Sequence, residues 1–253
     1  MQLMASARLR RLVGTLRSIC IYWRPGRQRG LRQLYSGFVR AGDLVFDVGA
    51  HVGDRTVAFA GLGARVVALE PQPQLLPVLR RVTRKLCRVT ILTSAVGRET
   101  GEAELLLSAA TPTVSTLSTD WVDSVKRDNQ GFRGVAWDER VTVPVTTLDA
   151  LIAQYGDPVF CKIDVEGFEA EVLAGLSRPI PAVSFEFVPG AEGVATDCIT
   201  RLEALGRYEY NVVRGEQRQF LLAQWCDAVA MNQWLKEQAS GGSGDVYARL
   251  ATA

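Results

Sequence analysis

The stretch Lys162-Ile163-Asp164-Val165-Glu166-Gly167 ends an apolar run, Val159 to Ile163, with two carboxylates and a glycine before the next helical pattern begins. In an α/β sheet, ligands bind outside the carboxyl ends of the strands. A carboxylate held there can orient a hydroxyl or take its proton. Other apolar runs end in the same way. Asp47 near the end of Asp43 to Val48 is followed by Gly49, His51 and Gly53, Glu70 follows Arg65 to Leu69, and Glu186 lies near the end of Ala182 to Phe187. An acid after the first strand, a glycine turn, an acid after the second and acids after later strands describe a nucleotide-type cofactor laid across strand ends, with reactive groups beside it.

The glycine spacing narrows the cofactor. A dinucleotide fingerprint needs Gly-x-Gly-x-x-Gly, its second glycine letting the backbone approach a pyrophosphate. Here His51 fills that middle position between Gly49 and Gly53, so a pyrophosphate is poorly served. The turn suits a cofactor without phosphates, whose amino acid end is held by Asp47, backbone groups and a helix N-terminus. Glu70 is placed to accept two ribose hydroxyls. S-adenosylmethionine satisfies both features.

The elements that must position these groups follow from periodicity. Leu9, Leu12, Leu16, Ile19 and Trp23 recur at three- and four-residue steps over residues 5 to 23, an amphipathic helix stopped by Pro25-Gly26. A second short helical pattern (Leu31, Leu34, Tyr35, Phe38) leads to Gly42. From there strands at 44–48, 65–69 and 89–93 alternate with helices at 54–62 and 73–86. Such alternation predicts a parallel sheet with right-handed crossovers. Between Glu102 and Leu148 the rhythm changes to a strand at 103–107 and a long loop carrying Trp121 and Trp137. Alternation resumes with a strand at 141–147, a helix at 148–154, strands at 159–163 and 182–187, and helices at 167–175 and 195–205. Tyr208 to Val213 and Gln219 to Ala223 read as an antiparallel pair closing the sheet, and 240–244 as a short loop. The division is a basic helical extension, 1–41, and one domain, 42–253.

Composition excludes several classes. At 253 residues, 47% hydrophobic and 22% charged, the chain is that of an ordinary globular protein. Five scattered cysteines without a Cys-x-x-Cys pair, and one histidine, give no structural zinc site. They suit free thiols in a reducing compartment. Without a run long enough to span a membrane or the apolar core of a secretory signal, the cytoplasm is the expected location. The charge is local: the first 42 residues hold nine Arg and no Asp or Glu.

Asp47-Val48-Gly49-Ala50-His51-Val52-Gly53, Glu70-Pro71, Ala95-Val96-Gly97, Ser115-Thr116-Leu117, Thr147-Leu148-Asp149, Lys162 to Gly167 with Glu169, and Ser184-Phe185-Glu186 occur in order over roughly residues 42 to 190. As an ordered set they resemble the FkbM family of S-adenosylmethionine-dependent methyltransferases. The resemblance implies a class I methyltransferase fold, Rossmann-like, with a mostly parallel seven-stranded sheet, helices on both faces and an antiparallel C-terminal strand pair. It also implies O-methylation of hydroxyls on sugars or polyketide-type products. His51 departs from the family's commonest residue there, Asn, which puts that position's role in question.

The expected cofactor site is Asp47, Gly49, His51, Gly53 and Glu70, with Ser94 and Ala95 near the adenine. Asp164 is the first choice for the base, ahead of Glu166 and Glu186. No resident metal is expected, the alternative being Mg²⁺ on these carboxylates. The expected acceptor is a small-molecule or glycan hydroxyl rather than nucleic acid. Docking of the N-terminal helix through its apolar face ranks ahead of a peripheral membrane contact. The rivals are a nucleic-acid methyltransferase using the Arg-rich arm, a non-catalytic binding module of the same fold, and a dehydrogenase, which the missing middle glycine disfavours.

Overall fold

The structure, a computed structural model, describes residues 2–237 and 241–251. In chain order the elements are α1 (Gln2–Tyr22), α2 (Arg27–Tyr35), β1 (Leu44–Val48), α3 (Asp54–Gly61), β2 (Arg65–Leu69), α4 (Leu76–Thr83), β3 (Val89–Leu92), β4 (Ala95–Val96) and β5 (Gly101–Leu107). Then come α5 (Thr119–Asp128), β6 (Glu139–Thr146), α6 (Leu148–Tyr155), β7 (Phe160–Ile163), α7 (Glu169–Ala174), β8 (Ala182–Phe187), α8 (Glu192–Leu205), β9 (Tyr208–Arg214), α9 (Ala228–Glu237) and β10 (Gly244–Leu250).

Seven strands form the large sheet in the order β3-β2-β1-β7-β8-β10-β9. β10 runs antiparallel to both of its neighbours, and the remaining pairings are parallel. This is the mostly parallel sheet with antiparallel C-terminal strands of the class I methyltransferase fold. Strand order reverses between β1 and β7, the switch point where a crevice opens at the carboxyl ends.

Alternation along each strand sorts the core onto two faces. Phe46, Val48, Cys161, Ile163 and Phe185 pack toward α6, α7, α8 and α9. Val45, Phe160, Ala182 and Tyr247 pack toward α2, α3 and α4. Leu31, Leu34, Tyr35 and Val39 are built into this second cluster. A buried ion pair, Arg27 Nε to Asp54 Oδ2 at 2.8 Å, ties α2 to the first residue of α3.

Three expectations from the sequence are corrected. Gln219–Ala223 is not a strand; the partner of β9 is β10, and in place of a ladder of its own that segment donates one backbone bond, Leu221 N–H to Val212 O at 2.7 Å. The strand near 141–147 does not join the large sheet, because β6 pairs with β4 and β5 in a separate three-stranded sheet. The long loop holds a helix, α5, capped by the Ser118 hydroxyl accepting from Trp121 N–H at 3.1 Å. Of the proposed loop at 240–244, Ser240 lies outside the described residues and Gly244 opens β10.

Helix α1 is also oriented differently from the sequence expectation. Gly14, Thr15 and Ser18 face the body, while Leu9, Leu12 and Leu16 of the apolar stripe face solvent. Gly14 makes this possible, since a Cβ there would stand 2.8 Å from both Ala109 O and Pro112 Cδ. Arg11 grips Glu139 (2.6 Å) and Arg10 grips Asp138 (3.1 Å).

Gly49 leaves β1 at φ +79°, and a Cβ there would lie 1.9 Å from the carbonyl oxygen of Asp164. The two strand ends cross at backbone contact. Gly49→Ala should lower stability by about 2 kcal/mol or more, read from urea unfolding.

Candidate active site

The crevice at the switch point is a pocket of about 800 Å³ including its mouth. Its floor is the exit of β1 and β7, one wall is the end of β2 with Glu70, and Ser94 and Ala95 border it beyond β3. The segment around Pro112 to Leu117 and Tyr22 at the end of α1 close over it.

Glu70 is buried, and its carboxylate is fixed by two backbone donors: His51 N–H at 2.7 Å and Gln72 N–H at 2.8 Å. Burial pushes its pKa up to about 7 against those bonds and the charge of Lys162. His51 sits in the turn at φ +52°, its ring set edge to face against Tyr22 with centroids 5.1 Å apart. Its Nε2 is buried without a partner, and burial holds its pKa down to about 4. The Ser115 hydroxyl, also buried and unpartnered, borders the same space.

Asp164 lies at the floor with Oδ2 2.8 Å from the ammonium of Lys162. Burial would raise its pKa, but Lys162 and Arg55 outweigh that and hold it below the usual carboxylate range. Its neighbour Glu166 experiences the opposite balance: burial, then Asp164 and Glu169, push it well above. Glu186 is raised by burial and by the same carboxylates. One oxygen of each of Asp164, Glu166 and Glu186 can be chosen so that all three lie within 4.8 Å of one another, close enough to share protons or a hard cation. Glu166 holds φ +56° because Glu169 Oε1 draws in the N–H groups of Val165 (3.0 Å) and Gly167 (3.3 Å). Trp121 then packs on Gly167, where a Cβ would come within 2.0 Å of the indole.

Of the residues singled out from the sequence, the pocket brings together Gly49, His51, Glu70, Ser94, Ala95, Asp164 and Glu166. Asp47 and Gly53 stand behind its wall. Asp47 is on the α3 side of β1, fully buried, accepting from Thr56 Oγ1 at 2.5 Å. Gly53 caps α3 where a side chain would strike Leu79 and Val82 of α4. Glu186 belongs to the carboxylate cluster but does not line the pocket. Trp121 and Trp137 pack edge to face beneath the loop, 6.2 Å apart.

Sequence reasoning missed Lys162, Arg55, Ser115 and Tyr22 as pocket groups. Lys162 offered a signal, a cation between Cys161 and Ile163 in an otherwise apolar strand. A charge there costs several kcal/mol unless paired. Arg55 carried a weaker one, the second residue of a helix beginning at the glycine turn. Ser115 and Tyr22 arrive from segments distant in sequence, and nothing local marks them.

A family model described as "Methyltransferase FkbM domain" matches residues 47–239. No curated protein sequence matches the chain. Among solved structures, a precorrin-6y C5,15-methyltransferase from Geobacter metallireducens is 14% identical, with 89% of this chain and 87% of that one covered and a TM-score of 0.46. A putative O-methyltransferase from Klebsiella pneumoniae is 11% identical over 90% and 81%, TM-score 0.46. Fibrillarin from Aeropyrum pernix, with natively bound S-adenosyl-L-methionine, is 12% identical over 83% and 68%, TM-score 0.44.

Between pH about 4.5 and 7 the folded chain keeps a proton on Glu70 that the unfolded chain releases, so this residue makes folding less favourable as pH rises through that window. Glu70→Gln should remove up to about 3 kcal/mol of that slope. Thermal melts of both proteins between pH 5 and 8 measure it; parallel curves would contradict the assignment.

Proposed function

The chain belongs to the FkbM methyltransferase family, and from that premise we propose that it transfers a methyl group from S-adenosylmethionine to a hydroxyl oxygen of a carbohydrate, glycolipid or secondary metabolite. The observation that carries this reading is Asp164, a carboxylate bordering the pocket and held ionised by Lys162 at 2.8 Å.

The pocket's own groups fit the cofactor. Glu70 presents its carboxyl oxygens to paired hydroxyls such as those of a ribose, with their orientation already fixed by His51 and Gln72 N–H. Ser115 Oγ and His51 Nε2 supply buried polar atoms that lack a protein partner, and Ser94 and Ala95 flank the space for an adenine. Gly49 keeps the floor free of a side chain. Asp47 acts from behind, fixing the strand end through Thr56. When bound, S-adenosylmethionine supplies a methyl group on a positively charged sulfur.

For an oxygen acceptor the chain must orient the hydroxyl and dispose of its proton. Asp164 is the ionised member of its cluster and takes that proton as the oxygen forms its new bond to carbon. Glu166, protonated beside it, is left to donate a hydrogen bond to the acceptor. Burial under the 112–117 segment and Tyr22 restricts water and holds the reactants at fixed separation, which supplies much of the rate in such displacements. Three of the nine arginines of the N-terminal arm are not free for phosphates, because Arg10, Arg11 and Arg27 are engaged with Asp138, Glu139, Asp54 and Glu216.

Labelled S-adenosylmethionine incubated with fractionated glycans, lipids and small metabolites should mark a hydroxyl-bearing fraction. With that acceptor, Asp164→Asn should lower turnover about 10² to 10⁴-fold while cofactor affinity stays within a few-fold. Turnover near that of the parent would exclude Asp164 as the base. Lys162→Met removes the charge that depresses Asp164, so the acid limb of the rate profile should move to higher pH. Glu70→Ala should weaken cofactor binding by about 1.5 to 3 kcal/mol, measured by calorimetry.

A further inference from the structure

A helix that serves only to cover its own domain turns its large apolar side chains inward. In helix α1 four of them, before its last two turns, point outward. Leu9 is 61% exposed, Leu12 56%, Val13 56% and Leu16 51%. At 3.6 residues per turn, Leu9, Leu12 and Leu16 fall within an arc of about 60°, with Val13 beside them. The opposite side is held to the body by small residues, Gly14, Thr15 and Ser18, and by the ion pairs of Arg10 and Arg11. The ridge is therefore presented on a helix already fixed in place.

We infer that this ridge seats α1 on an anionic lipid surface, with Leu9, Leu12, Val13 and Leu16 entering the headgroup boundary and the neighbouring arginines meeting phosphates. Charge selects this occupant. Arg17 and Arg24 are exposed and carry no ion pair among the described residues, and the first 42 residues contain no acid. A second copy laid ridge to ridge would set arginine against arginine. A nucleic acid would use the arginines but not the leucines. An anionic bilayer takes both, which is the composition of an interfacial helix. The last residue of the helix, Tyr22, lines the pocket, so the same element that meets lipid borders the site. No helix of the described residues is long and apolar enough to cross a membrane, and the contact is peripheral.

Vesicle sedimentation tests this with the full chain, without cofactor or acceptor, so its outcome is separate from that of the proposed reaction. The chain should sediment with phosphatidylcholine vesicles containing phosphatidylglycerol, much less with phosphatidylcholine alone, and be released by salt. Leu12→Glu and Leu16→Glu face solvent. Each should cut the bound fraction about tenfold or more with the melting temperature unchanged, and Leu16→Ser is the milder variant should either glutamate disturb folding. No sedimentation with anionic vesicles, or binding undiminished by these substitutions, overturns the proposal. So does a lipid-free dimer that Leu12→Glu separates, or retention of RNA in place of vesicles.

Discussion

Lys162 rises from the middle of β7 with Asp47 of β1 as its lateral neighbour in register, and its ammonium reaches Asp164 at 2.8 Å and the carbonyl of Gly49 at 3.3 Å. Only 2% of the residue is exposed. A lone ammonium at that depth would lose its proton; here Asp164 and Asp47 offset the burial and keep its pKa above the ordinary lysine value. The pairing works in both directions. It fixes the exits of β1 and β7 against each other, and it decides which carboxylate of the crowded floor is ionised. With Asp164 charged, its repulsion adds to burial in keeping protons on Glu166 and Glu186.

The cover of the pocket is built over that fixed floor from pieces that do not belong to the large sheet. The 112–117 segment is held by Gln72 Nε2 to Pro112 O at 3.1 Å and by Trp137 Nε1 to Val114 O at 2.7 Å. Helix α1 packs on its beginning and Trp23 Nε1 bonds Val52 O at 3.2 Å. Trp121 bears on the turn at Gly167. The floor is thus fixed by buried charge and backbone contact, while the cover is held by these side-chain bonds, a two-bond backbone bridge between Thr116 and Leu106, and the apolar cluster around Val114 and Trp121.

The strand ends were legible because parallel strands buried on both faces read as continuous apolar runs, and an acid terminating one stands out. Glu70 and Asp164 were found in this way. Asp47 was found by the same rule yet lies behind the wall, since strand alternation turns it toward α3; proximity to the glycine turn does not say which way a side chain points. The second sheet was not legible because β6 has the same alternating pattern as a strand of the large sheet, and only its long-range pairing with β5 distinguishes it. β10 was missed since Asp245 and Arg249 interrupt its apolar pattern, whereas 219–223 looked more strand-like and is not one. For α1 the periodicity gave the helix, but an amphipathic pattern does not state which face the body takes, and Gly14 decided it.

The place of β10 bears on how the chain assembles during synthesis. β9 is made before β10 yet lies outside it, so when β9 emerges the edge of β8 is open and the strand that must bridge them does not exist. Until β10 arrives, β9 and the buried residues Tyr208, Tyr210 and Val212 have no sheet to join. The parallel half from β3 to β8 and the α8–α9 layer are separate in time, and the nascent chain exposes an apolar strand and an unpaired edge between them, a state prone to self-association. Among the described residues, the strand that comes last in chain order is the one that completes the sheet.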